Sequence, residues 1–214
     1  MRNVLSVFSI ERMIEGESTF AGSPCTRVRL AGCDLDCRWC DAREVNIKPG
    51  RLMSLDAVQE EVSNLGCELV TITGGEPLLQ RDTPRLARRL AEAGYTVIVD
   101  TSGACDISDL PAPIIRLMDI KCPSSGMAHR MNWYNLAHLR PSDEIKFVLA
   151  DRRDYEYARE ILEKHGLCGQ CKILLSVVWN KLSAAELAEW MLWDSLRARI
   201  HIQMHKMLGL TGSR

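Results

Sequence analysis

The sequence predicts an α/β fold, a partial (β/α) barrel of about six mostly parallel strands. From about residue 26 onward, short apolar runs that are typical of buried strands alternate with amphipathic stretches that are typical of helices. Such alternation indicates parallel strands joined by crossover helices. The chain has 214 residues, of which 46% are hydrophobic. It can therefore form one sizeable core, and we expect a single domain over residues 1–214.

The strands are predicted from apolar and β-branched runs. Residues 26–31 alternate and predict the first parallel strand, and residues 4–8 are expected to pair with it as an antiparallel edge. Further strands are predicted at 68–73, 96–100, 114–120, 145–149, 172–178 and 199–203. The connection 101–114 contains a glycine and two prolines, so we expect an irregular segment there in place of a helix.

The helices are predicted from their capping residues. Ser54 precedes an amphipathic stretch as an N-cap, and Gly66 follows it as a stop. Ser183 and Glu186 form an S-x-x-E capping box that opens the last helix. The four predicted helices cover about 54–66, 82–94, 154–165 and 183–196.

Composition and charge exclude several classes of partner. The formal net charge is −1, so no global attraction to nucleic acid or to an anionic membrane is expected. The first ten residues do not resemble a signal peptide, and no window approaches the roughly 18 apolar residues of a spanning helix. We expect a cytoplasmic protein whose partner is a small molecule or another protein. In that reducing compartment, nine cysteines indicate a metal or cluster site rather than disulfides.

Three cysteines lie together directly after the first predicted parallel strand. Cys33, Cys37 and Cys40 have the spacing C-x3-C-x2-C, and thiolates are the usual ligands of iron–sulfur clusters. Three thiolates can hold three irons of a [4Fe–4S] cluster and leave the fourth iron open to the amino and carboxylate groups of S-adenosylmethionine (SAM). A reduced cluster can then cleave SAM to a 5′-deoxyadenosyl radical that abstracts hydrogen from a substrate.

The triplet alone is also compatible with chance clustering of cysteines or with a zinc site. Zinc also takes cysteines at short spacing. A closed zinc site needs a fourth ligand, which Cys168 or Cys171 could supply. The position of the triplet at the C-terminal end of a strand favours an active site, because a barrel keeps its active site at that end.

A second motif follows the next predicted strand. Gly74, Gly75 and Glu76 come directly after Thr73. Two glycines allow a ligand to approach the backbone closely, and Glu76 can accept a hydrogen bond from an ammonium group. Together with the cysteine triplet, this motif resembles the GGE element of the radical SAM superfamily, which contacts the SAM amino group.

The resemblance narrows to the 7-carboxy-7-deazaguanine synthase family. Residues 14–19 and 27–33 are similar to the opening segments of that family, and residues 119–126 are similar to its D-x-K-x-P-S-S-G segment. Residues 188–190 and 202–206 resemble its closing segments. These matches span nearly the whole chain.

The resemblance implies a specific reaction and a trimmed radical SAM core. The family converts 6-carboxy-5,6,7,8-tetrahydropterin to 7-carboxy-7-deazaguanine with loss of ammonia, on the route to queuosine. It requires SAM, a [4Fe–4S] cluster and Mg²⁺, and SAM is re-formed rather than consumed. The resemblance also implies a homodimer and an electron donor such as flavodoxin or ferredoxin.

The site residues are carried over position by position. Arg29 matches an arginine that holds the pterin carboxylate, for which a bidentate guanidinium contact is suitable. Glu17 lies in the segment that recognises the pterin edge, where a carboxylate can accept from ring N–H and amino groups. The substrate-binding residues are expected to be Glu15, Gly16, Glu17, Arg29 and Thr73. The SAM-binding residues are expected to be Trp39, Gly75, Glu76, Ser102, Lys121 and Ser176. The metal ligands are expected to be Cys33, Cys37 and Cys40.

The chain departs from the family pattern at four places. Glu15 stands where the family usually has glutamine, and Ala42 stands where it has a threonine or serine that binds Mg²⁺. Alanine cannot bind the ion, so another group holds it, the neighbouring guanidinium replaces part of its charge, or the metal is dispensable. Residues 207–214 do not match the family's C-terminus, and Cys168 and Cys171 have no assigned role.

Two further functions are compatible with the sequence. A glycyl-radical activating enzyme shares the C-x3-C-x2-C spacing, although such an enzyme acts on a partner polypeptide. Glu17 and Arg29, which precede the triplet, favour a small-molecule substrate. The departure at Ala42 keeps open a metal-binding protein that has lost radical chemistry.

Overall fold

A computed structural model describes residues 3–209, except for the side chain of His205. Its centre is a nine-stranded sheet with the order β3-β1-β2-β4-β5-β6-β7-β8-β9. The strands are β1 (Val4–Ile14), β2 (Pro24–Leu30), β3 (Arg51–Ser54), β4 (Leu69–Gly74), β5 (Thr96–Thr101), β6 (Ile115–Asp119), β7 (Glu144–Leu149), β8 (Lys172–Val177) and β9 (Arg199–His201).

The sheet confirms the predicted trimmed barrel. Seven strands, β2 and β4 to β9, run parallel. The first strand, β1, pairs antiparallel with β2, as predicted. It extends to Ile14, well beyond the predicted 4–8. The sheet is open, because β3 and β9 are its two ends and are not paired with each other.

The short strand β3 was not predicted from the sequence. It has only four residues, three of them exposed, and pairs antiparallel with β1. Such a short, half-solvated segment has no hydrophobic pattern of its own. The extended conformation of β3 therefore depends on its pairing with β1.

Two predicted N-caps, Ser54 and Ser183, are confirmed, whereas Asp82 precedes its helix without a side-chain cap hydrogen bond. Ser54 Oγ accepts from the Ala57 N–H at 3.1 Å, and Ser183 Oγ accepts from the Glu186 N–H at 3.1 Å. Each such cap is worth about 1 kcal/mol. Asp151 caps α4, which therefore begins slightly before the predicted start. The helices are α1 (Glu44–Ile47), α2 (Leu55–Leu65), α3 (Thr83–Glu92), α4 (Arg152–Lys164), α5 (Ala184–Trp193) and α6 (Met204–Met207). As predicted, no helix lies between β5 and β6 in the described chain.

The two faces of the sheet have different roles. The outer face packs against the helices and forms the main core, which includes Ile72, Val99 and Phe147. At the N-terminal ends of the parallel strands, a smaller buried cluster of Cys25, Leu69, Ile98, Leu117 and Leu174 fills the inner face. The C-terminal ends of the same strands are left for polar side chains.

None of the helices within residues 3–209 combines the length and the apolar character that a membrane span requires.

Candidate active site

A cavity of about 360 Å³ opens at the C-terminal ends of the parallel strands. Because alternate residues of a strand share one face, the polar residues that follow the inner apolar cluster point toward it. Most of the predicted site residues line this cavity: Glu15, Gly16, Glu17, Arg29, Cys33, Cys37, Trp39, Cys40, Thr73, Gly75, Ser102 and Lys121. Two predicted SAM-binding residues, Glu76 and Ser176, are fully buried and are not part of the lining.

The cysteine loop follows β2 and is held by hydrogen bonds to its backbone. The Cys40 N–H donates to Cys37 O at 3.2 Å, and the Arg38 N–H donates to Ser125 O at 3.1 Å. The Arg43 guanidinium donates to the carbonyls of Cys37 and Arg38, both at 3.1 Å. These contacts turn a polar loop back toward the cavity and place its thiols at the wall.

The thiols lie in a setting suited to an iron–sulfur cluster. Burial raises the pKa of Cys33 and Cys37, so cluster binding must displace protons. Lys121 lies near Cys37, and its ammonium is 2.6 Å from Asp119 Oδ2. Burial lowers the pKa of Lys121, but Asp119 and Cys37 raise it above its ordinary value. The lysine thus supplies positive charge beside the thiolates.

The zinc alternative finds no support in the geometry. Among residues 3–209, no three Cys, His, Asp or Glu side chains converge as a single metal ion requires. A [4Fe–4S] cluster instead spreads its three thiolates over three irons. Cys168 and Cys171 precede β8 and therefore lie at the strand-start edge of the sheet, opposite the triplet. They cannot complete a site with it.

The glycine pair has a role that was not predicted from the sequence. A Cβ on Gly74 would overlap Leu30 O, and one on Gly75 would overlap Gly32 O. The Gly75 N–H also donates to Leu30 O at 3.1 Å. The close approach expected for a ligand is therefore made by the end of β2 and the start of the cysteine loop, although Gly75 also faces the cavity.

Glu76 is bound by its own chain. Its carboxylate accepts from the Thr101 hydroxyl at 2.8 Å, from the Ser102 N–H at 2.6 Å and from the Leu78 N–H at 2.9 Å. Burial raises its pKa, and the hydrogen bonds oppose that shift. The structure therefore places Glu76 as a support for the Ser102 segment of the wall. The Ser176 hydroxyl has no hydrogen-bond partner within the part of the chain that the structure describes.

Arg29 is one of the cationic side chains in the cavity wall. Its side chain is 15% exposed, and Nη1 lies 3.5 Å from Glu44 Oε1. The Nε atom is buried without a hydrogen-bond partner among residues 3–209. Burial, followed by the nearby Arg27, lowers its pKa. A guanidinium in this condition gains from an anionic ligand.

The Glu15 carboxylate, which lines the cavity, accepts hydrogen bonds from its own chain. One carboxylate oxygen accepts from the Gly16 N–H at 3.0 Å and from the Glu17 N–H at 2.7 Å, and the other accepts from the Thr71 hydroxyl. All these donors belong to the protein, and Glu15 is nearly fully buried. Its carboxylate shapes the loop between β1 and β2 that carries Glu17.

Lys146 and Asp100 also line the cavity and were not predicted from the sequence. Lys146 Nζ lies 3.1 Å from Glu17 Oε2 and 3.2 Å from Asp119 Oδ1. Burial, opposed by Lys146, raises the pKa of Asp100 to about 7, and Asp100 accepts from the Thr73 hydroxyl at 3.3 Å. One signal was available: Lys146 is the only charged residue in the apolar run 145–149.

The residues around Ala42 do not fit a magnesium ion. Ala42 has no oxygen in its side chain, Asp41 Oδ2 is 3.0 Å from Lys206 Nζ, and Glu44 is paired with Arg29. Mg²⁺ requires oxygen ligands in near-octahedral geometry. Both nearby carboxylates instead face basic side chains.

Comparison with known proteins defines the class first. A sequence model described as the radical SAM superfamily matches residues 28–178. The chain belongs to this superfamily, which implies a [4Fe–4S] cluster and SAM as its cofactors. The matched segment contains the cysteine triplet and the glycine pair.

Full-length relatives define the family within that class. A 7-carboxy-7-deazaguanine synthase of Koribacter versatilis is 40% identical, over 95% of this chain and 96% of its own. One from Chlorobaculum tepidum is 38% identical, over 95% of this chain and 94% of its own. One from Methanospirillum hungatei is 35% identical, over 96% of this chain and 86% of its own. The chain belongs to the 7-carboxy-7-deazaguanine synthase family.

Solved structures support the fold. QueE from Escherichia coli aligns with a TM-score of 0.77 at 20% identity, over 94% of each chain. SuiB of Streptococcus suis bound to S-adenosylmethionine aligns with a TM-score of 0.56 at 13% identity, over 79% of this chain and 48% of that one. The overall fold of this chain is therefore shared with these two solved structures.

Proposed function

We propose that this protein converts 6-carboxy-5,6,7,8-tetrahydropterin to 7-carboxy-7-deazaguanine with loss of ammonia, in the biosynthesis of queuosine and other 7-deazaguanines. One observation carries the proposal. A guanidinium with a spare donor, Arg29, and a carboxylate, Glu17, line the same cavity as the three cysteines. Because the chain belongs to the 7-carboxy-7-deazaguanine synthase family, the carboxy-tetrahydropterin is the substrate proposed to bind in that cavity.

The two charged groups match the two ends of the substrate. The Arg29 guanidinium can bind the pterin carboxylate through paired N–H donors. The Glu17 carboxylate can accept from the ring N–H and the exocyclic amino group of the opposite edge. Thr73 lies beside Arg29 in register on the neighbouring strand, and this position supports a contact of Thr73 with the same ligand.

The cofactor side of the cavity lies next to this substrate side. Gly75, Ser102, Lys121 and Trp39 line it with the three cysteines and are proposed to hold SAM. When bound, the cluster and SAM would supply the radical chemistry that activates the substrate at C6. The chain itself orients the substrate and limits access of water to the radical.

We propose that turnover does not depend on Mg²⁺. Two of the cationic side chains that line the cavity, Arg29 and Lys206, lie beside Glu44 and Asp41, respectively. They can provide positive charge near the substrate carboxylate, so no role is assigned to a divalent ion.

The partners proposed for the enzyme are an electron donor, such as flavodoxin or ferredoxin, and a second copy of the chain. Support for the dimer comes from α5, which packs against β9 at the edge of the sheet. Trp193 on α5 is 89% exposed and Leu192 is 79% exposed. Sedimentation at several concentrations tests this, and a monomer at all of them would refute the dimer.

The function is tested with anaerobically reconstituted protein, the carboxy-tetrahydropterin, SAM and reductant. We expect about four irons per chain and formation of 7-carboxy-7-deazaguanine. SAM cleavage without deazaguanine would indicate another substrate. A colourless protein that holds only zinc would refute radical chemistry altogether.

A further inference from the structure

We propose that Lys146 is a positioning residue that holds the Glu17 carboxylate in the cavity and thereby determines recognition of the amino-bearing edge of the substrate. This inference rests on the proposed function, because it deepens the role of Glu17. Lys146 itself belongs to β7, on the far side of the cavity from the loop that carries Glu17.

The contacts fix both oxygens of the Glu17 carboxylate. Lys146 Nζ lies 3.1 Å from Oε2, and Gln203 Nε2 donates to Oε1 at 2.8 Å. The Lys146 side chain is only 4% exposed, whereas that of Glu17 is 24% exposed. A buried cation therefore anchors a carboxylate that reaches the cavity wall.

The contact between Glu17 and Lys146 spans the mouth of the barrel. Glu17 lies on the connection between β1 and β2, and three strands separate β2 from β7 in the sheet. Neither secondary structure nor neighbouring-strand register brings these residues together. Their ion pair forms only because the sheet curls, so the position of Glu17 depends on Lys146 across the cavity.

The surrounding charges explain why the ammonium is needed. Lys146 Nζ also lies 3.2 Å from Asp119 Oδ1 and 3.9 Å from Asp100 Oδ1. Without the ammonium, Glu17 would face other acidic groups in a poorly solvated site. A buried carboxylate that loses its partner is strongly destabilised. Glu17 would then turn toward solvent or take up a proton, and either change removes a hydrogen-bond acceptor from the cavity.

The same loop has a second anchor that serves as a matched control. Thr19 donates to Glu144 through its N–H at 2.8 Å, and Lys172 Nζ lies 3.3 Å from Glu144 Oε1. None of these three residues lines the cavity. Lys172→Met therefore removes an ion pair that anchors the loop without touching the carboxylate at the substrate edge.

The test compares Lys146→Met, Lys146→Arg, Glu17→Gln and the double variant with wild type and Lys172→Met. For Lys146→Met we expect the KM for the carboxy-tetrahydropterin to rise about 10- to 100-fold, as for a lost charged hydrogen bond. SAM cleavage without substrate reports on the cofactor side, which Lys146 reaches only through Asp119, so we expect it to change much less than the KM. Lys146→Arg should restore part of the affinity, and Lys172→Met should keep the wild-type KM.

The double variant separates positioning from a direct contact. If Lys146 acts through Glu17, the KM effects of Lys146→Met and Glu17→Gln are not additive, and the double variant resembles the worse single variant. Multiplied effects would contradict the proposal. An unchanged KM in Lys146→Met would overturn it.

A crystal structure of Lys146→Met decides the matter independently of the reaction. We expect the Glu17 carboxylate to leave its position beside Gln203, and an unmoved carboxylate would overturn the proposal. If wild type forms no deazaguanine, the proposed function fails, while the structural result still decides the positioning role. If Lys146→Met does not fold, the same comparison is made with Lys146→Gln, which removes the charge and keeps a polar group on a shorter side chain.

Discussion

The inner face of the sheet differs between its two ends. Ile98 and Leu117 belong to the apolar cluster near the strand starts, whereas Asp100 and Asp119 line the cavity two residues further along the same strands. Two residues of a strand span about 7 Å. Core and site are therefore separated by less than one strand length. The comparison shows that one alternating pattern serves stability at one end and chemistry at the other.

Removing a cluster-binding cysteine at the polar end should have the largest effect on activity. Cys37→Ala leaves two thiolates for a cluster that needs three, so we expect loss of both SAM cleavage and deazaguanine formation. Iron content and the reduced-state spectrum measure the cluster directly. Thermal unfolding should change little relative to unreconstituted wild type, and retained SAM cleavage would contradict the assignment.

Shortening a side chain of the inner apolar cluster should instead lower the stability of the protein. Leu117→Ala removes a fully buried side chain from the inner cluster and should lower the free energy of unfolding by about 2–5 kcal/mol. Urea denaturation of the protein measures this change. Below the unfolding transition, the KM for the pterin should stay near that of wild type. A large change in KM at full stability would show that the two ends are not separable.

Removing the substrate cation should separate binding from cofactor chemistry. Arg29→Ala should lower kcat/KM for the pterin by roughly 100-fold or more, because a bidentate charged contact is lost. Arg29→Lys should recover only part of this, since an ammonium cannot bind in the bidentate manner. Uncoupled SAM cleavage is the internal control, and unchanged turnover of the pterin would refute the role of Arg29.

Removing magnesium should have the smallest effect. Because the residues around Ala42 do not fit the ion, chelation of Mg²⁺ should leave turnover within about twofold of the value with the ion present. Ala42→Thr places a hydroxyl at that position. Turnover of this variant should then respond to Mg²⁺ more than turnover of wild type does. A strict Mg²⁺ requirement in wild type would show that substrate or SAM oxygens complete a site that the chain alone does not form.

Much of the fold and part of the site follow from the sequence. Strand–helix alternation predicted the parallel sheet, and Ser54 and Ser183 predicted two helix starts, because periodicity and caps are local properties. For the same reason β3 was not predicted, because it has no hydrophobic pattern of its own and forms only by pairing with β1. Motif positions placed Arg29 and the cysteines at one edge, because the C-terminal ends of parallel strands converge.

The sequence by itself determined the class of fold, the edge of the sheet that holds the site and the cysteines that line it. Only the tertiary structure decided what individual carboxylates do. Glu15 and Glu76 are bound by their own chain, whereas Glu17 faces the cavity and is held by Lys146. The partner of a carboxylate is chosen by curvature of the sheet and by burial, which join residues far apart in the chain. No local pattern specifies such a choice.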